Sequence, residues 1–162
     1  MKRKNELITL SWEHHDGLLF AFRLQQGLKY SAGIEEIREY TLHTWDNALN
    51  HHFWQEEQSL AGVLDFNETG RDLLNRMQSD HEYFRSQIED IRSKVNLVPA
   101  KFNEFADRLN QHIRFEEREL FPFLEKQVLP ETLKDIGAFL DEHHQNSDKC
   151  WKNEFWKNKN ES

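Results

Sequence analysis

Residues 102–124 read FNEFADRLNQHIRFEERELFPFL. Phe102, Phe105, Leu109, Leu120 and Phe123 recur every three or four positions, the spacing of one face of an α-helix. His112 and Glu116 fall on that same apolar stripe. Side chains four residues apart lie one above the other on a helix, so a single cation can touch both. A glutamate is almost never fully buried without a partner, and an unpaired carboxylate in a core is costly or takes up a proton. The stretch therefore predicts a helix that carries a polar, ligand-type pair into the interior.

The pattern repeats along the chain. Residues 34–64 carry Leu42, Trp45, Leu49, His52, Glu56, Leu60 and Val63 on one stripe, with a second His-x-x-x-Glu pair. Residues 68–95 carry Leu74, Met77, His81, Phe84, Ile88, Ile91 and Val95, and Asn67 is placed to cap their start. Residues 7–30 suggest a stripe of Ile8, Trp12, His15, Leu18, Leu19 and Phe22, ended by the stop at Ser31-Ala32-Gly33. Pro99 opens the helix quoted above, which extends to about residue 126 with Pro122 expected to kink or loosen its last turn. Pro130 opens a final stretch through Ile136, Phe139, Leu140 and Trp151, and the Lys- and Asn-rich tail after Trp151 is expected to fray. Long helices with short connections predict an all-α, up-down-up-down four-helix bundle over residues 1–128, with an additional C-terminal helix and tail, 129–162, packed on it.

Composition agrees. The 162 residues suit one domain, and mean hydropathy is low at −0.89, but twelve Phe and five Trp can build a core. Six Gly and three Pro are too few for the many turns of a β-sandwich or barrel. A net charge of −8 argues against nucleic acid as a partner. No apolar run is long enough for a membrane span. The basic start has no apolar region behind it, and the single cysteine, Cys150, fits a reducing compartment, so a cytoplasmic location is expected.

Each long helix thus brings one histidine to its stripe, and two bring a glutamate. Four imidazoles and two carboxylates at one level of a bundle could hold two metal ions. Face neighbours sort the other candidates. His51 has Thr44, Asn47, Gln55 and Gln58 around it and is expected in solvent, as is His43. Glu57 and Glu117 lie one position past the stripe, behind the ligands or solvated. His14 has almost as apolar a set of neighbours as His15, and the reading favours His15. His143 and His144 are expected in surface or helix packing, and Trp151 with Phe155 as a docking pair.

These residues resemble the hemerythrin-like, or HHE cation-binding, family across about residues 7–126. His112-Ile-Arg-Phe-Glu-Glu-Arg-Glu-Leu-Phe-Pro-Phe-Leu is similar to the family's fourth-helix signature and His52-Phe-Trp-Gln-Glu-Glu to its second. Leu10-Ser-Trp-Glu-His-His and Asp80-His81-Glu82 resemble the weaker first and third. The resemblance implies a non-heme diiron centre with an oxo or hydroxo bridge, bridged also by two glutamates. Its ligands would be His15, His52, Glu56, His81, His112 and Glu116. Oxygen carriers of the family have a second histidine on the third helix, one turn from the first. Here Met77 and Arg85 occupy those places. The chain is closer to relatives that sense, react or repair, with oxygen or nitric oxide as ligand.

Other classes fit less well. No histidine has Glu three residues before it, so the Glu-x-x-His signature of ferritin-like carboxylate enzymes is missing. Reversible oxygen binding remains an alternative, as does iron–sulfur repair. A metal-free helical interaction module, with a protein partner or a second copy, would explain the aromatic C-terminal stretch but not two buried glutamates.

Overall fold

The computed structural model describes residues 2–146 and 150–160. After a 3₁₀ turn at Asn5–Leu7 come α1 (Ile8–Lys29) and α2 (Ile34–Thr44), then a π-helical turn at Trp45–Leu49 that leads without a break into α3 (Asn50–Leu64). Next are α4 (Glu68–Arg92) and α5 (Pro99–Phe115). A second π turn, Glu116–Leu120, joins α5 to α6 (Phe121–Gln127), and α7 (Pro130–His143) follows. Four rods result: α1, α2–α3, α4 and α5–α6. This is the all-α bundle the periodicity predicts, with α7 laid against α3 and the N-terminal 3₁₀ turn. Among the described residues no helix is long and apolar enough to cross a membrane.

Local chemistry sets the rod ends. Asn67 caps α4, its side chain accepting from the Gly70 N–H at 2.7 Å. α4 stops at Arg92, short of Val95, because Lys94 and Asn96 take left-handed φ values of 59° and 50°. Arg38 donates to the last carbonyls of that helix, Ile91 and Arg92, at 2.8 Å each, where a positive charge suits the helix dipole. The break in this rod lies just before Pro122, in the second π turn, where the Phe121 N–H reaches back five residues to the Glu116 carbonyl. The turn at Trp45–Leu49 has the same form without a proline.

The interior has two apolar layers. One gathers Phe20, Leu24, Tyr40, Phe53, Phe84 and Phe105, and the other Leu10, Leu60, Met77, Phe115, Phe121 and Leu124. On each rod the polar positions of the stripe fall between the two.

Two expectations are corrected. On α1 the buried side is Leu10, His14, Phe20, Ala21 and Leu24, while Trp12 and Phe22 are 59% and 55% exposed and Leu18 and Leu19 also face out. The true inward face is rotated by about 100°, one helical residue step, from the expected stripe. The final helix ends at His143, and the segment just after Trp151 is docked on the bundle rather than loose. Phe155 is 1% exposed and packs in the first layer against Tyr40. It sits over Gly27, where a Cβ would come within 2.6 Å of its ring. Phe155→Ala is accordingly expected to cost about 3–5 kcal/mol, as for an aromatic removed from a core. Denaturant unfolding measures this, and a loss below about 1 kcal/mol would show that the segment only rests on the bundle.

Candidate metal centre

Six buried side chains meet between the layers: His14 from α1, His52 and Glu56 from α3, His81 from α4, His112 from α5 and Glu116 from the second π turn. Each histidine turns Nε2 inward onto a carboxylate. His14 and His112 approach Glu116 Oε1 at 2.9 and 3.3 Å. His52 and His81 approach Glu56 Oε1 at 3.1 and 3.4 Å. The donors form two groups, His14–His52–Glu56–Glu116 and Glu56–His81–His112–Glu116, each with one donor atom per residue within 4.8 Å of the rest. Both groups contain both glutamates.

The donor chemistry fits metal ions. The Nε2 atoms of His52, His81 and His112, both Glu56 oxygens and Glu116 Oε2 are buried with no hydrogen-bond partner. Buried polar atoms are ordinarily paired. Exceptions occur elsewhere too, at the Tyr83 hydroxyl and Trp151 Nε1, but those gathered at this point are lone-pair donors of the kinds that bind transition metals.

Like charges and burial set the electrostatics of the polypeptide alone. Burial, then the neighbouring Glu116 charge, pushes Glu56 up to about 8. Glu116 is held well below the usual carboxylate range: burial acts upward, and the positive charge of His112 outweighs it. Burial opposes the imidazolium of His112, but Glu116 and then Asp80 raise it to about 10. His14 and His81 are raised in the same way, by Glu116 with Glu117 and by Glu56 with Glu57. Protons thus hold together a group of donors that two cations could hold instead.

Outside the donors lies a set of carboxylates facing the Nδ1 atoms. His14 Nδ1 is 2.8 Å from Glu117, His52 Nδ1 2.7 Å from Glu13, and His112 Nδ1 2.9 Å from Asp80. His81 Nδ1 is 3.5 Å from Glu57, whose carboxylate is clamped by both terminal nitrogens of Arg85. Despite their burial, Glu57 and Glu117 are brought down to about 2, by His81 with Arg85 and by His14 with Ser11.

Phe53 stacks on the His81 ring at 4.2 Å and Phe121 lies parallel to His14 at 5.4 Å. On one side a cavity of about 400 Å³ reaches His52 and Glu13, walled by Trp12, Tyr40 and Trp151.

Five of the six expected residues, His52, Glu56, His81, His112 and Glu116, are brought together. The sixth is not. His15 is exposed, and His14 takes its place. A signal for this lies in the sequence. An acid-histidine step followed by His-x-x-x-Glu-Glu occurs twice: Glu13-His14 with His52 to Glu57, and Asp80-His81 with His112 to Glu117. Matching the two halves selects His14. His51 and His143 pack together, with His51 Nε2 donating to the His143 carbonyl at 2.6 Å.

A helical bundle with buried imidazoles and carboxylates converging between two apolar layers is a cation-binding bundle. The chain belongs to the hemerythrin HHE cation-binding domain family, whose profile matches residues 7–124. Comparison with curated proteins and with solved structures gave no significant match.

Proposed function

We propose that the protein holds two iron ions at this centre and serves to sense or react with oxygen or nitric oxide, in a redox or iron-stress response. The observation that carries the reading is the pair of overlapping donor groups, with unpartnered lone pairs on residues from all but the first rod. Family membership supports metal binding, and imidazole with carboxylate suits iron. His14 and His52 would hold one ion, His81 and His112 the other, with Glu56 and Glu116 shared. Bound iron would supply redox chemistry and coordination positions open to a diatomic.

The chain's own residues provide the rest. Phe53, Phe84 and Phe121 keep water from the donors. The cavity at His52 and Glu13 offers a small ligand a way in. No fifth imidazole stands beside His81. Met77 is fully buried in apolar packing, and Arg85 is committed to Glu57. Two evenly ligated ions favour reaction over reversible oxygen carriage.

The test is to load the protein with ferrous iron without air, measure metal content, and record optical spectra. About two irons per chain are expected from the ligand count. Nitric oxide should change the ferrous spectrum. Air should give a ferric sample that removing oxygen does not restore. Stoichiometric metal failing to bind would defeat the reading, and repeated release of intact oxygen would convert it to that of a carrier. In the same assay His14→Gln is expected to lower metal content and His15→Gln to leave it unchanged.

A further inference from the structure

The four outer carboxylates have an order that the inner six do not reveal. Glu13 of α1 holds His52 of the second rod. Glu57 of the second rod faces His81 of the third. Asp80 of the third holds His112 of the fourth. Glu117 of the fourth holds His14 of the first. Each rod supplies the carboxylate for the histidine of the next rod in sequence, and the fourth closes the circuit on the first. Every one of these carboxylates is also the immediate sequence neighbour of an inner donor: Glu13 of His14, Glu57 of Glu56, Asp80 of His81, Glu117 of Glu116.

We propose that Glu13, Glu57, Asp80 and Glu117 form a closed ring of positioning residues for the metal centre. Glu13, Asp80 and Glu117 fix the imidazole of the following rod through a hydrogen bond on Nδ1, with its Nε2 lone pair inward. Glu57 faces His81 Nδ1 from 3.5 Å without a hydrogen bond in the metal-free chain and is to close that link when metal fixes the ring. This rests on the two-metal reading and assigns roles to residues outside the donor set. The chemistry requires such a device. A neutral imidazole carries its proton on either nitrogen, and only the Nδ1–H form presents Nε2 to a metal. A carboxylate on Nδ1 selects that form, orients the ring and makes Nε2 more basic.

The ring also accounts for residues that the donor set leaves unexplained. Arg85 stands where a further ligand could have come from the third rod. It instead grips Glu57, the carboxylate behind His81. Arg3 does the corresponding work on the other half, donating to Glu117 at 2.8 Å. Glu13 is braced by Gln55 at 3.0 Å and by His144 at 3.1 Å. Because neighbours in sequence serve different histidines, a small rotation of one rod disturbs a donor on that rod and the holder of a donor on the next. The two half-sites are thereby assembled together.

The test uses the full chain loaded with cobalt(II), a paramagnetic probe that spreads the exchangeable imidazole N–H signals of its ligands in proton NMR. Wild-type protein should show four such signals, assigned by their individual loss in His14→Gln, His52→Gln, His81→Gln and His112→Gln. Glu13→Gln should shift or broaden the His52 signal and leave that of His14, its sequence neighbour, in place. Asp80→Asn should act on His112 and not on His81. Each should weaken cobalt binding by roughly 10–100-fold, the usual effect of losing such a partner. Asp80→Glu should restore part of the loss. Arg85→Met keeps every carboxylate and sits partly in solvent, so it tests the ring should a carboxamide variant fail to fold: only the His81 signal should move.

Wild-type cobalt affinity with all four signals unmoved in these variants would overturn the ring while leaving the metal centre standing. Effects confined to the sequence neighbours would overturn its order. Failure of wild-type protein to bind cobalt or iron at all would defeat the two-metal reading itself, and the ring with it.

Discussion

Glu56→Gln/Glu116→Gln protein will bind no stoichiometric metal, yet without metal it will be at least as stable as the metal-free parent. The two halves of this outcome have one cause. Both carboxylates are fully buried, and both belong to each of the two donor groups. Removing their charge takes two shared anionic ligands from both ions, which should exceed the roughly 10–100-fold effect of an outer partner. In the polypeptide alone the Glu56 charge is a burden, as its rise to about 8 beside Glu116 records, whereas the Glu116 charge is held by His112. Replacing a buried ion pair as a whole is often neutral, or stabilising by about 1–4 kcal/mol, and here the imidazoles left behind can discharge by giving up a proton. Elemental analysis and thermal unfolding of both metal-free proteins measure the two effects. A clearly lower melting temperature for the double variant would mean that the carboxylates support the fold through their hydrogen bonds rather than wait for cations.

The stability conferred by metal will grow with pH, while metal-free protein will weaken over the same range. His14, His81 and His112 lie above their ordinary 6.5 in the folded polypeptide, His112 at about 10. A group raised on folding contributes fully below its unfolded value, and loses that contribution as pH rises through the folded one. Glu56, raised from 4.5 to about 8, acts with the same sign. Glu57 and Glu117, lowered from 4.5 to about 2, act oppositely. Their contribution is full above 4.5 and lost as pH falls through about 2. Metal-free protein should therefore be most stable in mildly acidic solution and less so towards pH 8 and beyond. Metal must displace the protons on the donors, so its binding strengthens as pH rises. Metal at a thousand times its dissociation constant adds about 4 kcal/mol. The gap between loaded and metal-free melting temperatures should be small near pH 5 and large near pH 8. A gap independent of pH would show that the raised histidines are not the groups metal displaces.

Much of the bundle could be read from spacing because three rods are amphipathic in the plain sense. The stripes through His52, His81 and His112 have apolar neighbours on one side and charged ones on the other, so burial follows from pattern. α1 has apolar residues on both faces: Trp12, Leu19 and Phe22 outward, Leu10, Phe20 and Leu24 inward. Apolar periodicity cannot orient such a helix, which is why its buried histidine lies one position from the expected one. Of the outer carboxylates, Glu57 and Glu117 follow from their place one step past the stripe, while Glu13 and Asp80 do not. Glu13 and Asp80 matter through the register of one rod against the next, which no single helix encodes, although the repeated acid-histidine step carries a trace of it. Phe155 belongs to no periodic segment, and its partner Gly27 is informative only by lacking a side chain.

That last contact bears on the order in which the molecule is made. Gly27 leaves the ribosome long before Phe155, so the layer containing Tyr40 and Phe105 cannot be sealed until the segment around Phe155 has emerged. The contact spans a long separation in sequence, and such contacts are slow to form. The layer around Leu60, Phe121 and Leu124 needs nothing beyond α7. During synthesis one side of the donor cluster is therefore walled before the other, and the side left open borders the cavity at His52.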